Sequence, residues 1–557
     1  MFDLSLLLKR VESIRVPYPV RYTTFFISLG GFCLYALILM VSGQPSWLLL
    51  LFAVLTAIGV HDLLQSHHAI LRNYPILGHL RFLLEFIRPE IRQYFIESEN
   101  EAAPFSRAQR SLVYSRAKGQ SDKRPFGTQL DVCAEGFEWL THSMAPTHIA
   151  SHDFRVRVGG KDCTQAYDLS LFNVSAMSFG ALSANAIMAL NQGAQMGGFA
   201  HDTGEGSISR YHRMYGGDLI WEIGSGYFGC RDAQGRFDPE GFARQASQSQ
   251  VKMIEIKLSQ GAKPGHGGVL PAAKMTPEIA ETRGVSCDHD CVSPASHSAF
   301  STPTELLAFV QQLRTLSGGK PTGFKLCIGH PWEWFAIVKA MLETGITPDF
   351  IVVDGAEGGT GAAPLEFSDH MGMPLLEGLH LVHNTLRGVK LRSEIRLGAS
   401  GKIISSFDMV RVLALGADWC NSARGFMFAL GCIQAQTCHT GNCPTGVTTQ
   451  DPQRQMALVV PSKAQRVKNF HHQTLESLRE LLQASGLNTP HQLQARHIMR
   501  RISAHQTCSL EDLYPSMSEG RLLQEVTSEL PPVFKEFWPL ASAQHFQLVA
   551  PSAPETA

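Results

Sequence analysis

Three thiols crowd into one short stretch, Gly431-Cys432-x5-Cys438-x4-Cys443-Pro444. Clustered cysteines of this kind, the last followed by proline, have the pattern of an iron–sulfur ligand run, and three ligands rather than four favour a three-iron cluster. A zinc site is the alternative, with His439 available as the fourth ligand. The pair Cys287-Asp-His-Asp-Cys291 also has ligand-like spacing but no partners in sequence, and reads as two non-ligating thiols.

Two further stretches suit a phosphate. Ala399-Ser400-Gly401-Lys402 and Ser422-Ala423-Arg424-Gly425 each combine small residues, which let the backbone approach an anion, with one cation. The loop Lys257-Leu-Ser-Gln260-Gly-Ala-Lys263-Pro-Gly-His266 carries two lysines, a glutamine and a histidine among glycines, and ammonium groups suit carboxylates. Lys325 lies inside an apolar run, Phe324-Lys325-Leu326, where an unpaired lysine is costly. It either pairs with a nearby carboxylate or reaches the pyrimidine side of a flavin. A second glycine-rich loop, Asp354-Gly-Ala-Glu-Gly358-Gly359-Thr360-Gly-Ala-Ala-Pro364, would let backbone approach a planar cofactor.

These residues need a frame. From about residue 170 to 425, short apolar runs alternate with helical stretches. Eight candidate strands stand out: Leu171–Phe179, Gly198–Gly204, Asp218–Gly224, Lys252–Gln260, Thr322–Gly329, Asp349–Gly355, Ile395–Gly401 and Ala417–Arg424. Such alternation predicts a parallel sheet, and this number predicts an α/β fold of the closed (β/α)8 TIM-barrel type, whose active site lies at the strand C-terminal ends. The gap at 261–321 would be an active-site insertion. Ser462 would cap a helix whose apolar positions are Val467, Phe470, Leu475, Leu478, Leu481 and Leu482, with Gly486 as its stop.

No charged residue lies between Arg21 and Asp62. Thr23–Val41 is close to the roughly 20 apolar residues of a spanning helix, and a second span runs over about 45–64 after Gly43-Gln44-Pro45. Lys9, Arg10, Arg15 and Arg21 precede this transmembrane hairpin, and Arg72, Arg81, Arg88 and Arg92 follow it, which puts both flanks and the catalytic body in the cytoplasm. Leu80–Phe95 reads as an interfacial amphipathic helix broken near Pro89, and Tyr114–Gln129 as an exposed basic loop. The expected organisation is a hairpin over 1–64, a connector over 65–150, a barrel with its cysteine loop over 151–450, and a helical extension with a disordered tail from Ala550 over 451–557. A formal net charge of -1, with no Lys/Arg stripe interleaved with aromatics, excludes nucleic acid as the first guess. The scattered cysteines argue against a disulfide framework and for a reducing compartment.

Val174-Ser-Ala-Met177-Ser178-Phe-Gly-Ala-Leu-Ser183, Thr203-Gly-Glu205-Gly206, Gln260-Gly-Ala-Lys263-Pro-Gly-His266-Gly-Gly268, Gly358-Gly359-Thr360-Gly-Ala-Ala-Pro364 and Gly431 through Gln450 resemble the FMN-binding synthase domain of glutamate synthases, in order and spacing, over roughly residues 150–485. The resemblance implies FMN in the barrel mouth, a [3Fe-4S] cluster on Cys432, Cys438 and Cys443, and reductive amination of 2-oxoglutarate to L-glutamate. By position it implies catalytic or substrate roles for Glu205, Lys257, Gln260, Lys263 and Arg283. It places Met177, Ser178, Glu255, Lys325, Gly358, Gly359, Thr360, Gly401, Lys402, Ala423 and Arg424 at FMN positions. Implied partners are ammonia or an amine, an electron donor such as ferredoxin or a separate NAD(P)H-reductase subunit, a separate glutaminase, and the lipid bilayer. Two positions depart from the family pattern: His266 stands where a glutamate is usual and Val269 where a glutamine is usual. An N-alkylglutamate synthase using an amine, or a membrane-tethered flavin electron-transfer component, are the alternatives.

Overall fold

The computed structural model describes residues 20–100, 103–524 and 529–548. The flanking Lys9, Arg10 and Arg15 and the tail from Ala550 lie outside the described residues. The chain divides between residues 102 and 103 into two compact units.

The first unit holds α1 (Thr23–Ser42), α2 (Trp47–Leu64) and α3 (Leu77–Ile91). Gly43, at φ 68°, ends α1, and the Ser46 hydroxyl accepts the Leu48 N–H to cap α2. Both helices are long and apolar enough to cross a bilayer. Leu34, Leu37, Leu50 and Leu51 are among their exposed side chains. Asp62, near the end of α2, is buried; its carboxylate accepts from the Ile76 N–H at 2.9 Å and meets His79 Nε2 at 2.9 Å. The expected break near Pro89 is not there. A proline removes one donor from the ladder, yet α3 runs on to Ile91, and the widened turn Arg92–Ile96 is where the regular helix gives way.

The second unit is the barrel. Its strands are β1 (Phe172–Val174), β2 (His201–Asp202), β3 (Leu219–Ile223), β4 (Val251–Lys257), β5 (Thr322–Leu326), β6 (Phe350–Asp354), β7 (Arg396–Ser400) and β8 (Trp419–Ser422). Each pairs in parallel with the next, and β8 closes on β1 through Cys420 opposite Phe172. Seven lie within an expected strand, and β4 begins one residue before its expected start at Lys252. The strands are almost wholly buried because helices cover the outside and side chains fill the inside. The 261–321 gap is only partly an insertion. It holds a ribbon of Val269–Leu270 against Cys291–Val292 and a short helix, Pro277–Arg283, but Pro303–Leu316 is an ordinary barrel helix with a Thr302/Glu305 capping box.

Around the barrel lie α4 (Arg107–Ala117), α5 (Ala184–Gly197), α6 (Arg424–Leu430) and α7 (Val460–Ala484). The expected basic loop is therefore partly helix, with Arg116 buried and paired to Asp122 at 3.0 Å. Helix α7 buries Val467, Phe470, Leu475, Leu478 and Leu482. It starts at Val460 with Pro461 in its first turn rather than at a Ser462 cap, because proline's fixed φ suits that position. Beyond α7, Ile498–Ser503 and Gln506–Ser509 form an antiparallel sheet with Glu138–Leu140.

Candidate active site

Strand periodicity sends alternate side chains into the barrel. Glu222 on β3 and Glu255 on β4 are register partners, and both meet the ammonium of Lys325 on β5. The Glu255 contact is 3.1 Å. Asp202 on β2 joins them, so that carboxylate oxygens of Asp202, Glu222 and Glu255 lie within 4.8 Å of one another, all buried. Three buried carboxylates facing one ammonium cannot all ionise without large cost. Burial, followed by Glu255, raises the Asp202 carboxyl well above its ordinary range. Burial pushes Glu255 up to about 7 against the pull of Lys325. For Lys325 burial works against the charge, but Glu222 and Glu255 outweigh it and hold the ammonium above its usual range.

One level further toward the strand ends, Lys257 meets Glu205 at 2.8 Å. Glycines make room for the pair: a Cβ at Gly224 would lie 2.6 Å from Glu205 Oε2, and one at Gly268 would lie 2.4 Å from Oε1. Burial alone would raise the Glu205 carboxyl. Lys257, with Arg283 and Lys263 beyond it, prevails and keeps it ionised below its usual range. His297 braces Lys257 from behind, with Nε2 2.9 Å from the Lys257 carbonyl and Nδ1 3.1 Å from the Tyr227 hydroxyl. Burial lowers this imidazole to about 4, so it is neutral at pH 7. Its Nε2–H donates and its Nδ1 accepts.

The two remaining cations are buried without a carboxylate of their own among the described residues. Lys263 Nζ donates to the Gly267 carbonyl at 3.1 Å. Arg283 Nη2 donates to the Phe179 carbonyl at 3.2 Å, its guanidinium lies over the Phe228 ring, and its Nε has no hydrogen-bond partner among the described residues. Gln260, Lys257, Glu205, His266 and His297 line one pocket at this mouth.

Across the mouth, Asp354 ties three loops together. Its Oδ2 accepts the Gly261 N–H at 2.7 Å and its Oδ1 accepts the Ser400 hydroxyl at 2.7 Å. Arg424 Nη2 donates to the Thr360 carbonyl at 2.9 Å, fastening the Gly358–Thr360 loop over the end of β8. Lys402 adopts φ 50° and is exposed. Neither Lys402 nor Arg424 forms an ion pair with a carboxylate among the described residues. Two uncompensated cations on small-residue loops fit a phosphate group. Met177 and Ser178 lie beside Gly204 at the end of β1, where a Cβ would come 2.7 Å from the Ser178 nitrogen.

Cys432, Cys438 and Cys443 line a common pocket after α6. Donors already point at two of the sulfurs: the Gln434 N–H lies 3.5 Å from Cys432 Sγ, and the Thr445 hydroxyl 3.4 Å from Cys443 Sγ. Burial pushes Cys432 up to about 11. In Cys443 burial is outweighed by hydrogen bonds from Thr445 and Thr448, which hold the thiol at about 7. A pocket of three thiols with hydrogen bonds to sulfur fits an iron–sulfur cluster. Tyr114 of α4 donates to the Cys432 carbonyl at 2.6 Å and fixes the start of the loop. By contrast, Cys287 is exposed, while Cys291 is buried with its sulfur 3.6 Å from Arg283 Nη1.

Sequence reasoning missed Asp202, Glu222 and His297. Asp202 stands two residues before the glycine of Thr203-Gly-Glu-Gly206, and Glu222 is the one acid in an apolar strand; both signals were legible. His297 had none, since its partners Lys257 and Tyr227 are distant in sequence.

The conserved region in glutamate synthase matches residues 147–488. A glutamate synthase large subunit-like protein, YerD of Bacillus subtilis, is 37% identical over 84% of this chain and 95% of its own. The archaeal glutamate synthase (NADPH) of Methanocaldococcus jannaschii is 36% identical over 57% of this chain and 59% of its own. Among solved structures, a double-mutant flavocytochrome b2 with pyruvate bound aligns over 79% of this chain and 89% of its own, at 12% identity and a TM-score of 0.39. The barrel assignment stands on the closed strand order instead. With the family region spanning the whole barrel and the cysteine loop, this chain belongs to the glutamate synthase family of oxidoreductases.

Proposed function

We propose that the chain is an FMN- and [3Fe-4S]-dependent enzyme that aminates 2-oxoglutarate reductively to L-glutamate. The observation that carries this reading is the pair of buried cations, Lys263 and Arg283, without carboxylates of their own beside the pocket of Lys257 and Gln260. A dicarboxylate would supply the missing charge; pure electron transfer needs no such clamp. Ammonia would condense with the keto group, water leaving, to give 2-iminoglutarate. Bound FMN would supply the hydride to the imine carbon. Lys263 and Arg283 would hold the carboxylates, Gln260 would donate to the carbonyl oxygen, and the Lys257 ammonium, 2.8 Å from Glu205, would offer the proton for nitrogen.

Lys402, Arg424, Gly401 and Ala423 would hold the FMN phosphate, and Gly358, Gly359, Thr360, Met177 and Ser178 would flank the cofactor. Lys325, already paired to Glu222 and Glu255, would supply a fixed positive charge to the bound flavin. Cys432, Cys438 and Cys443 would hold the cluster that receives electrons from ferredoxin or a separate NAD(P)H-reductase subunit, with a separate glutaminase as a source of ammonia. The two apolar helices would anchor the chain in a bilayer, and Arg21, Arg72, Arg81, Arg88 and Arg92 on their flanks favour a cytoplasmic barrel. The barrel with its cysteine loop would run over 151–450 and the helical extension over 451–557.

A second reading, an amine in place of ammonia to give an N-alkylglutamate, draws support from His266. Its ring lies 5.4 Å from that of Phe367, edge to face, and offers apolar surface beside the pocket. The deciding experiment reduces the anoxically purified protein and asks which keto acid and nitrogen source reoxidise the flavin. Reoxidation by none of them, with flavin fully bound, would refute both readings.

A further inference from the structure

Lys274 lies in the β4–β5 insertion that also carries Gln260, Lys263 and Arg283, in the short turn Ala272–Lys274. It is 7% exposed. Its ammonium donates to the carbonyl of Cys438 at 2.5 Å, and its stem runs along Gly441, whose added Cβ would lie 3.7 Å from Lys274 Cε. No carboxylate pairs with it among the described residues. A buried ammonium without an anion is unfavourable, so the site it faces must supply negative charge. Metal-bound thiolates do so, and a cluster they hold becomes one charge more negative on reduction. Cys438 itself abuts the other side of the mouth: a Cβ at Gly361, in the loop fastened by Arg424, would lie 3.8 Å from Cys438 Cβ.

We propose that Lys274 is the counter-charge of the cysteine site, a positioning residue whose buried ammonium favours the reduced cluster and ties the keto-acid loop to the point of electron entry. This inference rests on the iron–sulfur reading of Cys432, Cys438 and Cys443. A charge beside a one-electron centre changes its midpoint potential, whereas a contact that merely shapes the loop does not.

The test is potentiometric titration of the cluster's paramagnetic resonance signal in the anoxic full-length protein, with iron and labile sulfide counted in each sample. Lys274→Gln keeps a donor for the Cys438 carbonyl but loses the charge, Lys274→Met loses both, and Lys274→Arg keeps both. The Gln and Met variants should shift the reduction equilibrium about tenfold toward the oxidised cluster, which is 59 mV for one electron, and the Arg variant should restore it. A wild-type midpoint in Lys274→Gln with full iron and sulfide would overturn the inference and leave the cluster standing. An equal shift in Lys274→Arg would also overturn it. Wild-type protein without labile sulfide would remove the cluster reading and this inference together.

Discussion

The carboxylate of Glu205 stands 2.8 Å from the ammonium of Lys257, in a slot that two glycines keep open. Glu205 follows β2 and Lys257 ends β4, so the contact exists because parallel pairing through β3 brings those strand ends to the same mouth. It joins the glycine-rich loops to the buried charges beneath them.

Replacing Gly268 by alanine puts a Cβ 2.4 Å from Glu205 Oε1 and forces the carboxylate off Lys257. A displacement of about 1 Å at a reacting site costs roughly a hundredfold in rate. Single-turnover reoxidation of the reduced flavin by 2-oxoglutarate and ammonia should slow by that factor, with FMN content unchanged in the absorption spectrum. Equal rates in the variant and the wild type would remove the pair from the chemistry.

The same pair has a signature in pH. Glu205 is held below its ordinary value of 4.5, so its contribution to stability is present above that pH and is lost as pH falls through the folded value. In Lys257→Met the nearest cation is gone and the carboxyl moves up. The acid limb of the pH–stability profile should move to higher pH, which urea unfolding measured from pH 4 to 8 would read.

Lys325→Met should destabilise the barrel by about 3–5 kcal/mol, because it leaves Glu222 and Glu255 buried without their cation. Glu255 sits at about 7 in the folded protein, so folding takes up a proton between its ordinary 4.5 and that value, and stability falls as pH rises through this window. The deficit of the variant should therefore be larger at pH 8 than at pH 5. Urea unfolding at the two pH values checks both sign and size.

Arg424→Ala and Lys402→Ala should each weaken FMN retention. A charge-assisted hydrogen bond contributes about 1.5–3 kcal/mol, roughly ten- to a hundred-fold in affinity. The loss should be greater for Arg424, which also fastens the Thr360 carbonyl. Flavin occupancy after gel filtration measures it, and full occupancy in the double variant would refute the phosphate assignment.

Serine in place of Cys432, Cys438 or Cys443 should abolish a cluster of about three irons and its labile sulfide, while FMN stays bound. Stoichiometric zinc without sulfide in anoxic wild-type protein would decide for a structural metal instead.

The sequence by itself determined the eight strands, the family, the cysteine run and the two apolar helices. Each is written in local pattern: short apolar runs alternating with helical stretches, glycines in fixed spacing, thiols within one loop, and an uncharged stretch of spanning length. It left Lys325 open between an ion pair and a flavin contact, and only the tertiary structure supplied the ion pair, because Glu222 and Glu255 reach it from neighbouring strands whose register sets the three side chains at one level. It missed His297 behind Lys257 as well. That partner is 40 residues away, and spacing along a chain carries no record of contacts made across a barrel mouth. Strand register and loop packing decide which charges meet, and those distances in turn decide which groups stay ionised.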